Sequence, residues 1–149
     1  MDVHFQDSGL LSLDDIAADA VMLVLVGAAR PDGLGAASKR VIDDVTVIPY
    51  NDPEAIEWAL SSGDVECFIV EPVLENIGIC LPDPGYLQKV REITQRYGTL
   101  LIFDEVKTGI TAGYGGATNI LGVQADMVTL AKSIGGGFPV GAFGGKSEY

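Results

Sequence analysis

The sequence predicts an α/β fold in which a mostly parallel sheet is flanked by helices. Short apolar runs recur along the chain, and between them lie segments with helically spaced apolar residues and helix-start or helix-stop residues at their ends. Strands that alternate with helices in this way are typical of parallel sheets joined by right-handed crossovers. The length of 149 residues suffices for one domain with a sizeable core.

The first half of the chain predicts one strand, one helix and an apolar run that fits either element. The apolar run 20–26 is compatible with a buried strand or a short helix, and the run 44–50 predicts a strand. Asp52 is a suitable N-cap, and Pro53 suits the first position of a helix because it needs no backbone donor there. We expect that helix to end at Ser-Gly 62–63.

The second half repeats the pattern. The run 67–70 predicts a strand buried on both faces. Asp83 predicts the start of a helix, and Gly98 predicts its end. The apolar face of this helix would comprise Tyr86, Leu87, Val90, Ile93 and Tyr97, and further strands are expected at 99–103, 127–130 and 141–145.

Composition and charge exclude several function classes. Nine basic and 21 acidic residues give a net charge of -12, so nucleic acid and anionic membranes are unfavourable partners. No apolar run reaches the length of a membrane span and no signal segment is visible, which predicts a cytoplasmic protein. Cys67 and Cys80 lie in apolar runs, and we expect buried free thiols rather than a disulfide.

Polar residues follow three of the predicted strands at their carboxyl ends, where ligands bind in parallel sheets. From the residues alone, two of them, Asp104 and Lys132, admit two interpretations. A buried carboxylate and a buried lysine can form a simple ion pair, or a desolvated lysine can serve as a Schiff-base nucleophile. The polar residues at these ends are Glu71, Asp104, Glu105, Lys132 and Ser133.

Two segments, LLIFDEVKTGI at 100–110 and ADMVTLAKSIGGGFPVGAFGG at 125–145, resemble the cofactor core of class III (subgroup II) pyridoxal-phosphate-dependent aminotransferases. Two upstream segments, VIPYNDPEAIE at 47–57 and FIVEPVLENIGICLPDPGYL at 68–87, are most similar to the glutamate-1-semialdehyde 2,1-aminomutase branch. The resemblance implies that 1–149 is part of the large domain of a fold-type I transferase that binds pyridoxal 5'-phosphate. Residues 1–19 match poorly, and the C-terminal small domain would be absent.

The resemblance implies roles for three residues at the reacting end of the site. Lys132 would form a Schiff base with the cofactor's aldehyde and then carry a proton. Asp104 would pair with the protonated pyridine nitrogen, and a carboxylate there keeps the ring able to accept electrons. Val106 would pack against one face of the ring, although an apolar residue at this position is also ordinary core filling.

Three further residues are implied to contact the cofactor or to shape its site. Asn76 matches the position that hydrogen-bonds the cofactor's phenolic oxygen, and the ornithine and 4-aminobutyrate enzymes carry an acid there instead. From the residues alone two interpretations of Asn76 stay open, a ligand-binding residue and an ordinary turn asparagine before Gly78. Glu71 matches the glutamate of the family's EP motif. Ser133 and the glycines at 135–137 would shape the backbone around the lysine.

The resemblance therefore implies amino transfer, of transaminase or aminomutase type, on a small amino acid or amino-keto acid by a homodimer without a metal. The alternative is a truncated, non-catalytic α/β fragment that cannot hold the cofactor tightly. Two features support this alternative: the family's phosphate-binding helix start has no counterpart in the sequence, and residues 14–16 stand where the stacking Tyr-His-Gly motif is expected. Another lysine-bearing enzyme, such as an aldolase, is a weaker third reading.

Overall fold

The computed structural model describes residues 24–27, 45–75 and 78–148. In these residues, parallel strands form the centre of a six-stranded sheet and antiparallel strands form its margins. The strand order is β2-β1-β3-β4-β5-β6, with parallel pairing of β3 with β4 and of β4 with β5. The bounds are β1 Val24–Gly27, β2 Val45–Thr46, β3 Val65–Val70, β4 Leu100–Asp104, β5 Met127–Leu130 and β6 Ala142–Gly145.

Helices connect the parallel strands, as the sequence predicts. One long helix lies between β3 and β4, and two short helices lie between β4 and β5. The bounds are α1 Pro53–Leu60, α2 Tyr86–Tyr97, α3 Thr108–Thr111 and α4 Gly116–Leu121, with a 3₁₀ turn at Lys132–Gly135. The α/β fold class is therefore confirmed, and β1, β2 and β6 make the sheet mixed.

The two longer helices form for the local reasons that the sequence shows. The Asp52 carboxylate caps α1 by accepting a hydrogen bond from the Ala55 N–H at 2.9 Å, and Pro53 occupies the first turn. Helix α2 begins at Tyr86, later than predicted, because Gly85 adopts a left-handed conformation. It ends at Gly98, whose φ of 71° is readily adopted by glycine.

The core lies between the sheet and helices α1 and α2. Phe68, Leu101 and Phe103 of the sheet are completely buried. They pack in one cluster with side chains of both helices, and burying each large side chain contributes about 1.5–3 kcal/mol. The helical members of the cluster are Ile56, Leu60, Tyr86, Leu87, Val90 and Ile93.

Several expectations need correction. Strand 67–70 is not buried on both faces, because only the face bearing Phe68 and Val70 packs against helices, and its other side chains are half-buried. Cys67 and Cys80 are thiols that are not joined in a disulfide, as predicted, but both are only half-buried.

The strand predicted at 44–50 is reduced to Val45–Thr46, and the chain beyond it makes a different contact. There the Tyr50 hydroxyl donates a hydrogen bond to the Pro72 carbonyl at 3.0 Å. None of the described helices is both long and apolar enough to cross a membrane.

Candidate functional site

Three of the predicted site residues lie at one edge of the sheet. Glu71 directly follows β3, Asp104 ends β4, and Lys132 follows β5 after one intervening residue. Because the three strands are parallel, their carboxyl ends lie at the same edge. The register places Asp104 beside Thr129 of β5. The expectation that these polar strand ends share an edge is therefore confirmed.

The carboxylate of Asp104 is held through one of its two oxygens. Oδ1 accepts a hydrogen bond from the Val106 N–H at 3.0 Å and a weaker one from the Thr129 hydroxyl at 3.4 Å. Oδ2 has no hydrogen-bond partner in the described part of the chain. The side chain is half-buried, so its orientation is fixed while one oxygen stays accessible. Thr129 was not predicted, because strand register is not visible in the sequence.

Lys132 begins the 3₁₀ turn in an uncommon backbone conformation. Its φ of 50° lies in the left-handed region, which side chains other than glycine rarely adopt. Such a conformation costs on the order of 1–3 kcal/mol and is concentrated at functional sites. Gly136, with a φ of 55°, closes the turn.

The expected burial of Lys132 is wrong. Lys132 and Ser133 are both exposed, and so is the segment 136–148 that follows the turn. The simple ion pair with Asp104 is also wrong: among the described residues, Lys132 lies within 4.0 Å of no carboxylate. Nor do the described residues contain a cluster of three or more metal-ligating side chains.

The remaining predicted residues have mixed outcomes. Glu71 is half-buried, and its Oε2 accepts a hydrogen bond from the Glu75 N–H at 3.1 Å, which shapes the turn after β3. Val106 is half-buried and is tied to Asp104 through its own N–H. Asn76 lies outside the described residues.

Glu105 is the most heavily hydrogen-bonded carboxylate at this edge, and neither its sequence position nor the family resemblance predicts a role for it. It is 3% exposed. Its oxygens accept hydrogen bonds from the Thr108 hydroxyl at 3.1 Å, the Ala117 N–H at 2.6 Å, the Thr118 N–H at 3.0 Å and the Thr118 hydroxyl. These contacts join the end of β4 to α3 and to the first turn of α4.

A second buried carboxylate, Asp126, lies at the opposite edge of the sheet. It accepts hydrogen bonds from Arg91 at 2.7 Å, the Leu101 N–H at 2.9 Å and Lys146 at 2.5 Å. Burial raises the pKa of this carboxyl, but the three donors outweigh burial and hold its pKa below the ordinary value. Asp126 therefore links α2, β4 and the residue that follows β6.

Comparisons with known proteins agree with this architecture. The family Aminotransferase class-III matches residues 28–149. A glutamate-1-semialdehyde 2,1-aminomutase of Methanocorpusculum labreanum is 46% identical over 137 residues, covering 89% of this chain and 33% of the relative. One of Methanoregula boonei is 56% identical over 102 residues, covering 68% of this chain and 25% of the relative. The chain thus spans about a quarter to a third of the length of these relatives.

Solved structures give the same result. A glutamate-1-semialdehyde-aminomutase from Pseudomonas aeruginosa PAO1, in complex with PMP, superposes with a TM-score of 0.70 at 30% identity, covering 84% of this chain and 28% of that one. An omega-transaminase from Sphaerobacter thermophilus superposes with a TM-score of 0.69 at 38% identity, covering 83% and 28%. Both likenesses extend over most of this chain and over less than a third of the neighbour.

Proposed function

This chain belongs to the class-III aminotransferase family, and on that premise we propose that it forms the cofactor-binding part of a pyridoxal-phosphate-dependent enzyme that transfers amino groups. The names of the relatives favour the glutamate-1-semialdehyde aminomutase type, and the transaminase type is the alternative. The substrate would be a small amino acid or amino-keto acid. The observation that carries the proposal is the carboxylate of Asp104, of which only Oδ1 accepts hydrogen bonds from the described residues. Asp104 ends β4, which pairs with β5, and β5 leads to Lys132.

The residues at this edge fit pyridoxal phosphate chemically. The cofactor requires an amine to hold its aldehyde and a carboxylate to face its pyridine nitrogen. The Lys132 amine forms no ion pair within the described ranges, and Asp104 Oδ2 has no hydrogen-bond partner there. When bound, the cofactor supplies an electron sink for the bond that breaks at the substrate's Cα.

Asp104 would orient and hold the ring. Val106 and Thr129 both bond to Oδ1, which leaves Oδ2 to accept a hydrogen bond from the protonated ring nitrogen. Such a charge-assisted bond is about twice as strong as a neutral one, and partial burial strengthens it further. A carboxylate held in one orientation has little reorganisation left to do when the ring binds.

Lys132 would hold the aldehyde covalently through Nζ, with loss of water. Once the substrate's amine displaces it, the freed Nζ would carry a proton to and from the substrate's Cα. The left-handed backbone at this position sets the direction in which the Lys132 side chain leaves the turn. Val106 would contact one ring face. Glu71, Asn76 and Ser133 would complete the surroundings of the ring and of the lysine.

Assembly and location complete the proposal. We assign all 149 residues to the large domain of the enzyme and expect a cytoplasmic homodimer. Exposure of Lys132 and Ser133 supports assembly, because a site that excludes water needs further protein to cover these two residues.

The experiment is a titration of the purified chain with pyridoxal phosphate, followed by near-visible absorbance. We expect a saturable band that is lost in Lys132→Ala and weakened in Asp104→Asn. Lys89→Ala is the matched control, because Lys89 is an exposed lysine on α2, remote in sequence from the site. A band of equal strength in the Lys132→Ala and Lys89→Ala variants would contradict the proposal.

A second candidate is favoured by the exposure of Lys132. A non-catalytic fragment would keep the site residues but bind the cofactor loosely, because water competes with the cofactor for polar groups at an exposed site. Cofactor binding that does not saturate, together with an intact fold by circular dichroism, would favour this candidate over the enzyme.

A further inference from the structure

Glu105 follows Asp104 in the sequence, but its carboxylate is not available to accept a hydrogen bond from the ring nitrogen as proposed for Asp104. It is buried, and its hydrogen-bond partners in the described residues are all donors. An ionised carboxylate offers only acceptor positions, so it matches this set of donors. No cation contacts it within the described ranges, and the donors alone compensate for its burial.

The main chain of Glu105 fixes the end of β4. Its N–H donates to the Thr129 carbonyl at 3.0 Å, which extends the pairing with β5 beyond Asp104. Its carbonyl accepts from the Gly109 N–H at 2.9 Å, which starts α3. Glu105, which lies between Asp104 and Val106, is therefore held through both its main chain and its side chain.

The side chain of Glu105 is connected, through α3, to the strand that leads to Lys132. The Thr108 hydroxyl holds α3 against the carboxylate. Gly109 lies so close to Leu130 that a Cβ at position 109 would overlap the Leu130 side chain. Leu130 is the last residue of β5, and α3 contacts the 3₁₀ turn that carries Lys132. Thus Glu105 is connected by packed neighbours to both sides of the site.

The segment around α4 is built to receive this carboxylate. Gly116 has a φ of 65°, and a Cβ there would overlap Glu105 Oε2. Two consecutive N–H groups, of Ala117 and Thr118, then bond to the two oxygens. The Thr118 hydroxyl adds a further bond. A carboxylate that served only as a local turn residue would not need hydrogen bonds from two separate helices, α3 and α4.

Resting on the proposed function, we infer that Glu105 is a positioning residue of the cofactor site. Its buried carboxylate fixes the orientation of Asp104 at the end of β4 and, through α3, the placement of the turn that bears Lys132. It touches neither the cofactor nor the substrate. Glu105→Gln replaces one acceptor oxygen by a donor group, so buried donors face each other without partners.

The first measurement is the affinity for pyridoxal phosphate, read from the Lys132-dependent absorbance. We expect Glu105→Gln to raise the Kd by roughly tenfold and Thr118→Val, which removes one hydroxyl donor, to raise it less. Thr118→Ser keeps that donor and should restore the wild-type value. Glu66→Gln, an exposed glutamate of β3, is the matched control. A folded Glu105→Gln variant with unchanged Kd would overturn the inference.

The second measurement needs no cofactor and keeps the two proposals distinguishable. Hydrogen exchange compares the N–H groups of Val106 and Gly109 with that of Leu101 in the middle of the sheet. We expect Glu105→Gln to accelerate exchange at the first two and leave Leu101 protected. Acceleration confined to Ala117 and Thr118 would make Glu105 a cap of α4 alone and overturn the inference. A wild type without the absorbance band would refute the proposed function and leave this readout valid.

Should Glu105→Gln accelerate exchange at every position, Thr118→Val provides the milder perturbation. It removes one hydrogen bond and preserves the shape of the side chain. The inference then requires faster exchange at Val106 in Thr118→Val than in Thr118→Ser. Equal rates in these two variants would overturn it.

Discussion

Replacing Asp126 by asparagine is expected to destabilise the fold substantially at neutral pH. The carboxylate is 4% exposed and binds Arg91, Lys146 and the Leu101 N–H. Removing one partner of a fully buried ion pair costs about 3–5 kcal/mol. Because the Lys146 side chain is 45% exposed and remains solvated, we lower the expectation to about 2–3 kcal/mol.

The assay is urea unfolding of the wild type and the variant, followed by circular dichroism. In thermal unfolding the same loss corresponds to a decrease in Tm of roughly 4–12 °C for a chain of this size. Glu92→Gln is the control, because Glu92 has the same kinds of partner, Lys89 and Arg96, at an exposed site. We expect its midpoint to be unchanged.

The dependence on pH tests the same contact. The pKa of Asp126 is lowered in the fold, so its stabilisation is fully present above the ordinary carboxyl pKa of about 3.9. It is lost as the pH falls through the lowered value. The difference between the wild type and Asp126→Asn should therefore shrink below about pH 4. A difference that is absent at pH 7, or constant down to acid pH, would refute the reasoning.

Three further predictions concern separate parts of the molecule. Phe103→Ala opens a cavity in a completely buried position and should cost about 3–5 kcal/mol in urea unfolding, against no change for Tyr114→Ala at an exposed position. Gly116→Ala should lower the Tm, because its φ is positive and the new Cβ would overlap Glu105; Gly144→Ala, where a Cβ meets nothing within 4 Å, is the control. Phe143→Lys should reduce self-association in light scattering, since Phe143 is exposed on β6 at the edge of the described sheet, and an unchanged associated fraction would contradict this.

The sequence predicts those elements whose cause is local. Helix α1 follows from Asp52 as an N-cap, and the end of α2 follows from Gly98. Strands β4 and β5 follow from short apolar runs. Helices α3 and α4 were missed because they are short and glycine-flanked, so their stability comes from contacts with Glu105 rather than from propensity.

The candidate site was predictable in part. Strand ends locate Asp104 and Lys132 at one edge, and the family resemblance gives them roles. The hydrogen bond from Thr129 depends on strand register, which the sequence does not display. The burial of Glu105 was not predicted because isolated carboxylates are almost always exposed. The exposure of Lys132 depends on how much of the neighbouring chain covers it.

The most direct test of the central claim is to locate the lysine that holds pyridoxal phosphate. The purified chain would be incubated with the cofactor, reduced with borohydride to make the attachment permanent, digested and examined by mass spectrometry. The account predicts modification of Lys132 at cofactor concentrations that leave Lys89, Lys107 and Lys146 unmodified. Modification spread evenly over the lysines, or concentrated on one other than Lys132, would contradict it.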